Sequence, residues 1–148
     1  MFIFVQTLTS LFLQYNEFKT ENKYISKMKG RDIYLNKNIE FKIQKETLLK
    51  QKGTLLHKGQ QGKHIIGHNN YKKEAGKSIV TLSTKKIEEL LQRYAGTGQV
   101  IRNNKERVDF REIIGIYINQ QNGDKRKTTI GIIHYSKRGL HLIPAKPN

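Results

Sequence analysis

The sequence predicts an α+β fold, with one or more helices packed on a small antiparallel β-sheet, and three observations predict it. Ile87, Leu90, Leu91 and Tyr94 fall at i, i+3, i+4 and i+7, the apolar stripe of a helix that lies on a sheet. Asn122-Gly123 is a tight-turn pair between two strand-like runs. The β-branched run Thr129 to Tyr135, a Ser136-Lys-Arg-Gly139 turn and the apolar run Leu140 to Ile143 read as a second hairpin. A helix followed by a meander is an α+β order.

The first element is Met1 to Phe18, where Phe4, Leu8, Leu11, Tyr15 and Phe18 follow helical spacing. It is read as a docking helix or the cut end of a longer protein. A cleaved signal is the lesser alternative, because basic residues ahead of the apolar run and a small-residue cleavage site are lacking. Gln6, Thr7, Thr9, Ser10 and Gln14 interrupt it, so no stable membrane span is expected. Lys19 to Gly62 is polar and poorly periodic, with Ile39, Phe41 and Ile43 alternating as in a short strand or extended linker. The glycines at 53, 59 and 62 mark a composition boundary, which divides the chain into an N-terminal helix and basic linker (1–58) and a C-terminal domain (59–148).

Within the second part, Ser78 to Leu82 reads as a short strand and Ser83 or Thr84 as the cap of a helix running to about Ala95. Gly96 is placed as its left-handed C-cap. Arg102 to Arg107 reads as a charged loop and Val108 to Ile118 as one strand with a central Gly115. In the run that follows, strand alternation puts Ile130, Ile132, His134 and Ser136 on one face and Ile133 and Tyr135 on the other. Antiparallel pairing brings His141 near His134 and Ser136.

Charge bounds the function. The 148 residues carry 28 Lys+Arg against 12 Asp+Glu, a formal net charge of +16. Such a field draws polyanions: nucleic acid, an anionic membrane or an acidic protein. The absence of cysteine removes disulfides, thiolate metal sites and a Cys nucleophile together. His64 and His68 are four apart, but Gly67 and Asn69-Asn70 argue against a helix there, and no further ligand completes a metal set. No metal or cofactor is expected. Ser136 lacks a nucleophile-elbow motif.

RNA carries its own nucleophile, the 2′-hydroxyl, so cutting it needs only a base, an acid and cations. His64, His134 and His141 are the candidates for proton transfer, because an imidazole titrates near working pH. Lys63, Lys127, Lys137 and Arg138 are candidates for charge, with Thr128, Tyr135 and Ser136 for phosphate hydrogen bonds. A passive RNA binder, such as a phage structural accessory, is equally compatible with these residue types.

The words KHIIGHNNY (63–71), GKSIVTLS (76–83), LLQRYAGTG (90–98), NKERVDF (104–110), IIG (113–115) and IHYSKRGLHLIPAKP (133–147) occur in this order. Over roughly Gly59 to Asn148 they resemble the bacterial polymorphic toxin type 50 family. The resemblance implies a barnase/EndoU/colicin/RelE-like fold and a ribonuclease activity. Modules of this kind sit at the C-termini of large secreted toxins and of some phage minor capsid proteins. It falls on Lys63, His64, His134, Tyr135, Ser136 and His141, with His134 and His64 as the acid–base pair, His141 as the substitute member, and Ser136 and Lys63 steadying phosphate. His68 stands where the family often has threonine or another residue. The resemblance further implies delivery into a target-cell cytoplasm, an RNA substrate such as tRNA or rRNA, and an acidic immunity protein as partner.

Overall fold

A computed structural model describes residues 10, 11, 13–16 and 30–148, with side chains from Lys37 onward in the last stretch. Residues 10, 11 and 13–16 are helical; Leu11 is buried, and the Tyr15 hydroxyl donates to Glu40 Oε1 at 2.7 Å. The remainder of the amphipathic reading of 1–18, including Phe4, Leu8 and Phe18, lies outside the described residues. Among the described residues no helix is long and apolar enough to cross a membrane.

The segment expected to be a strand or linker is instead a long helix, α1 (Gly30–Lys52). Phe41, Lys45 and Leu48, at i, i+4 and i+7, share its inward face. Phe41 and Leu48 enter the core, and the Lys45 ammonium donates to Ala95 O at 3.3 Å. A cation in the middle of that stripe conceals the helical period, leaving only the local alternation of Ile39, Phe41 and Ile43 visible. Leu55 and Leu56 join the same core, so the apolar cluster extends N-terminal of the expected division at residue 58.

After α1 the chain pairs along the last strand: Leu140 N donates to Leu55 O (2.6 Å) and His57 N to Leu140 O (2.7 Å). The Glu88 carboxylate holds this segment from the other side, accepting from Leu55 N (2.6 Å) and Leu56 N (2.9 Å). A short helix, α2 (Lys58–Gly62), is capped by His57. Strand β1 (Ile79–Val80) precedes α3 (Thr84–Tyr94), where Ser83 Oγ accepts from Lys86 N, the expected N-cap. Ile87, Leu90 and Leu91 are buried as their spacing requires, and Gly96, at φ +86°, ends the helix in the left-handed region.

The expected charged loop at 102–107 is a hairpin, β2 (Gln99–Arg102) and β3 (Lys105–Asp109), turning at Asn103-Asn104. Alternation explains the misreading. Glu106 points into the core with Val108, so an apolar-looking inward face was disguised by a carboxylate. That carboxylate accepts from Gly96 N (2.7 Å), Gly98 N (3.1 Å) and the Tyr135 hydroxyl. Burial pushes Glu106 up and the hydrogen bonds oppose it.

The single strand expected over 108–118 is also interrupted. Asp109 Oδ1 accepts from Arg111 N (2.9 Å), Arg111 takes φ +61°, and the chain resumes only at β4 (Gly115–Ile118). Strand β5 (Lys125–Thr128) returns from the Asn122-Gly123 turn, where Gly123 has φ +77°. Strands β6 (Ile130–Ser136) and β7 (Gly139–Pro144) form the last hairpin. All sheet pairings are antiparallel, in orders β1-β4-β5 and β2-β3-β6-β7. Ile133, Tyr135, Leu140 and Leu142 face the core, with Tyr135 stacked on Phe41 at 3.9 Å. The opposite face of β3, β6 and β7 is left for chemistry.

Candidate active site

Strand register builds the site as a grid on that open face. Lys105 pairs with His134 and His134 with His141; one step along, Arg107 pairs with Ile132 and Ile132 with Ile143. The period of two puts all six on one side of the sheet. Directly opposed residues in an antiparallel pair lie in side-chain contact, and the His134 and His141 ring centroids are 4.7 Å apart.

His64 arrives from the loop after α2 and extends the row. Its ring centroid is 6.2 Å from that of His141, nearly parallel at 20°. Three contacts fix it: Val80 N donates to His64 O (2.8 Å), His64 N to Gln61 O (3.0 Å), and the ring Nδ1 meets Ser78 O at 2.8 Å. A carbonyl only accepts, so Nδ1 carries a proton and Nε2 is the basic atom of the neutral ring. Gln61, almost fully buried, ties α2 to β7 by donating to Leu142 O (2.9 Å) and accepting from Leu142 N (2.7 Å). The loop bearing His64 is therefore anchored to the strand bearing His141.

The row stands between two clefts, and His134, His141 and Gln60 line both. One, of about 620 Å³, has His64, Tyr117, Ile132 and Ile143 in its walls, with Lys63, Lys77, Arg107 and Lys146 around them. The other, of about 490 Å³, is bordered by His57, Asn104, Ser136, Lys137 and Arg138.

Half-burial in a basic neighbourhood depresses every imidazole of the row. Desolvation first, then Lys105 and His64, bring His134 to about 4. Desolvation, then His134, His64, His57 and Lys63, bring His141 to about 3. His64 is lowered by burial and by Lys77 and Lys63, against the stabilising bond to Ser78. The free site is a set of neutral imidazoles ringed by cations.

The structure brings together His64, His134, His141 and Lys63 around one cleft, and Ser136, Lys137 and Arg138 around the other. Lys63 Nζ donates to Gln60 Oε1 at 3.0 Å, and Ser136 Oγ donates to Gly139 O at 2.8 Å. Three of the expected substrate contacts are not placed to touch a substrate in either cleft. Tyr135 borders the second cleft as part of β6, but its ring is in the core against Phe41 and its hydroxyl is on Glu106. Thr128 is buried, with Oγ1 accepting from Ile130 N at 3.0 Å. Lys127 is exposed on β5 and lines neither cleft. His68 is apart from the row, its Nδ1 accepting from Asn70 N at 3.0 Å. Among the described residues no group of three or more His, Cys, Asp or Glu is placed to hold a metal.

Sequence reading missed His57, Lys105, Arg107 and Tyr117. Lys105 and Arg107 follow from strand alternation once β3 is recognised. His57 carried no signal, because α2, which it caps, is only five residues long.

No curated protein matches the chain. The family model described as bacterial toxin 50 matches residues 56–144, from the segment paired with β7 to the end of β7 itself. That span holds every residue of the histidine row and both clefts' sheet walls, and the chain belongs to the bacterial toxin 50 family.

Proposed function

We propose that this toxin domain is a metal-independent endoribonuclease whose scissile phosphate sits on the histidine row. The observation that carries the reading is the alignment of His64, His141 and His134, 6.2 and 4.7 Å apart in sequence along the row, between two cation-lined clefts. His64, neutral with Nε2 basic, removes the proton from the 2′-hydroxyl. The 2′-oxygen attacks phosphorus while the bond to the 5′-oxygen breaks, and His134, as imidazolium, protonates the leaving oxygen. A 2′,3′-cyclic phosphate and a 5′-hydroxyl result. His141, between them, donates to a phosphate oxygen, and Lys63 and Lys105 offset the developing charge.

The depressed values favour a second reading, in which the neutral row only binds RNA, since an imidazole near 4 is no acid at neutral pH. Substrate charge answers this. A phosphodiester about 5 Å away stabilises the imidazolium by about 3 kcal/mol at an effective dielectric near 20. That moves His134 upward by about two pH units, close to where an acid is useful.

Membership of the toxin family supports delivery into a target cell, and the net charge of +16 supports capture by an acidic immunity protein over the cleft face. The test is product chemistry. The full-length chain with RNA in EDTA should yield 2′,3′-cyclic phosphate ends by mass spectrometry, and a single 2′-deoxy substitution should block cleavage at that position. Cleavage of the deoxy-substituted bond would reject the mechanism.

A further inference from the structure

The two clefts beside the histidine row differ in chemistry. In the larger, Ile118, Ile132 and Ile143 make an apolar surface with the half-buried Tyr117, and Lys63, Lys77, Arg107 and Lys146 stand at its sides. Among the described residues no carboxylate lines it. The smaller cleft has no comparable apolar surface and is flanked by the turn carrying Lys137 and Arg138.

Tyr117 is held in place from two directions. Its strand, β4, pairs with β5 through Tyr117↔Arg126, and the next residue's N–H, that of Ile118, donates to Ser78 Oγ at 3.0 Å. Ser78 is the residue whose carbonyl orients His64. Ser78 thus ties the backbone beside Tyr117 to the candidate base, and all three line one cleft. At about 620 Å³, the space is in the range of small-ligand sites, which combine apolar and aromatic walls with a few placed polar groups.

An apolar-walled cleft with one aromatic ring and cations at its margin fits a flat heteroaromatic ring attached to an anion. We infer that the larger cleft is a nucleobase subsite, in which a base adjacent to the bound phosphate stacks on Tyr117 while Arg107, Lys77 and Lys146 hold its backbone. The inference rests on the ribonuclease reading for its phosphate position, but base binding is measurable without cleavage. Stacking on an aromatic side chain is general to bases, so the subsite explains affinity for a nucleotide beside the cut without demanding one base.

The experiment uses the full-length chain in EDTA and two ligands, a 3′-nucleoside monophosphate and ribose 5-phosphate, measured by calorimetry or NMR titration. The nucleotide should bind the wild type more tightly, and Tyr117→Leu should weaken it by on the order of tenfold. Ribose 5-phosphate should be unaffected by the substitution, and Tyr117→Phe should restore nucleotide binding. Equal loss for both ligands, or no base dependence in the wild type, would overturn the subsite and leave the cleft to acidic protein side chains. RNA cleavage is scored separately. Base-dependent binding without cleavage keeps the subsite and removes the nuclease reading, whereas cleavage with base-independent binding does the reverse.

Discussion

His134 and His141 face each other across β6 and β7, ring centroids 4.7 Å apart, and among the described residues no carboxylate acts on either to stabilise a proton. Burial and neighbouring cations act in the same direction on both. In the free protein the site is uncharged at the imidazoles and positive around them, ready to take protons only when an anion arrives.

This has a pH signature. His134 should titrate near 4 in the free chain by NMR, and upward of that when a nucleotide is bound. Lys105→Met should raise His134 in the free chain by on the order of half a pH unit, since a paired cation is removed. The same change should lower the slope of log affinity for RNA against log salt by about one. The sign for stability follows from linkage. The folded-state values lie below 6.5, so the unfolded chain binds protons first, and stability falls as pH drops from about 6.5 towards 4. His134→Gln should flatten that fall in acid unfolding curves.

Tyr135→Phe separates core from site. The hydroxyl donates to the buried Glu106 carboxylate, and a hydrogen bond to a charged group is worth about 1.5–3 kcal/mol. Urea denaturation should show a loss of that size, with kcat on RNA unchanged. A selective loss of kcat at unchanged stability would put Tyr135 back among the substrate contacts.

Gln61 is the strut between the His64 loop and β7. Gln61→Leu leaves Leu142 N and Leu142 O without side-chain partners, at about 1–3 kcal/mol for each buried group. Thermal melts should register the destabilisation. Exchange of the Leu142 amide should accelerate most, and kcat should fall further than KM rises, because spacing within the row is disturbed.

How much of this was legible depends on where polar residues point. Helix α3 and the β6–β7 hairpin were readable because their inward positions are apolar and their turns carry Gly96 and Gly139. The nearness of His134 and His141 followed from the 136–139 turn and an antiparallel placement of the second strand. Helix α1 was not readable because Lys45 occupies its buried stripe, and β3 was not because Glu106 does the same. In both cases a charged side chain satisfied by buried partners imitates a solvated segment. Placing Tyr135 among substrate contacts, for its hydroxyl and for the family resemblance, set aside the alternation that already had it facing away from His134. His64 joins the row through contacts with Gln61, Ser78 and Val80, and the last two are not encoded in sequence spacing.

Catalysis by the histidine row requires that cleavage, and not binding, depend on His134 and His64. Full-length wild type, His134→Ala and His64→Ala are compared on total RNA and on DNA in EDTA, with RNA affinity measured for each. The account predicts cutting of RNA alone by the wild type, a loss of about 10²-fold or more in each variant, and little change in binding. Equal cleavage by the variants, or tight binding by the wild type with no cleavage at all, would contradict it.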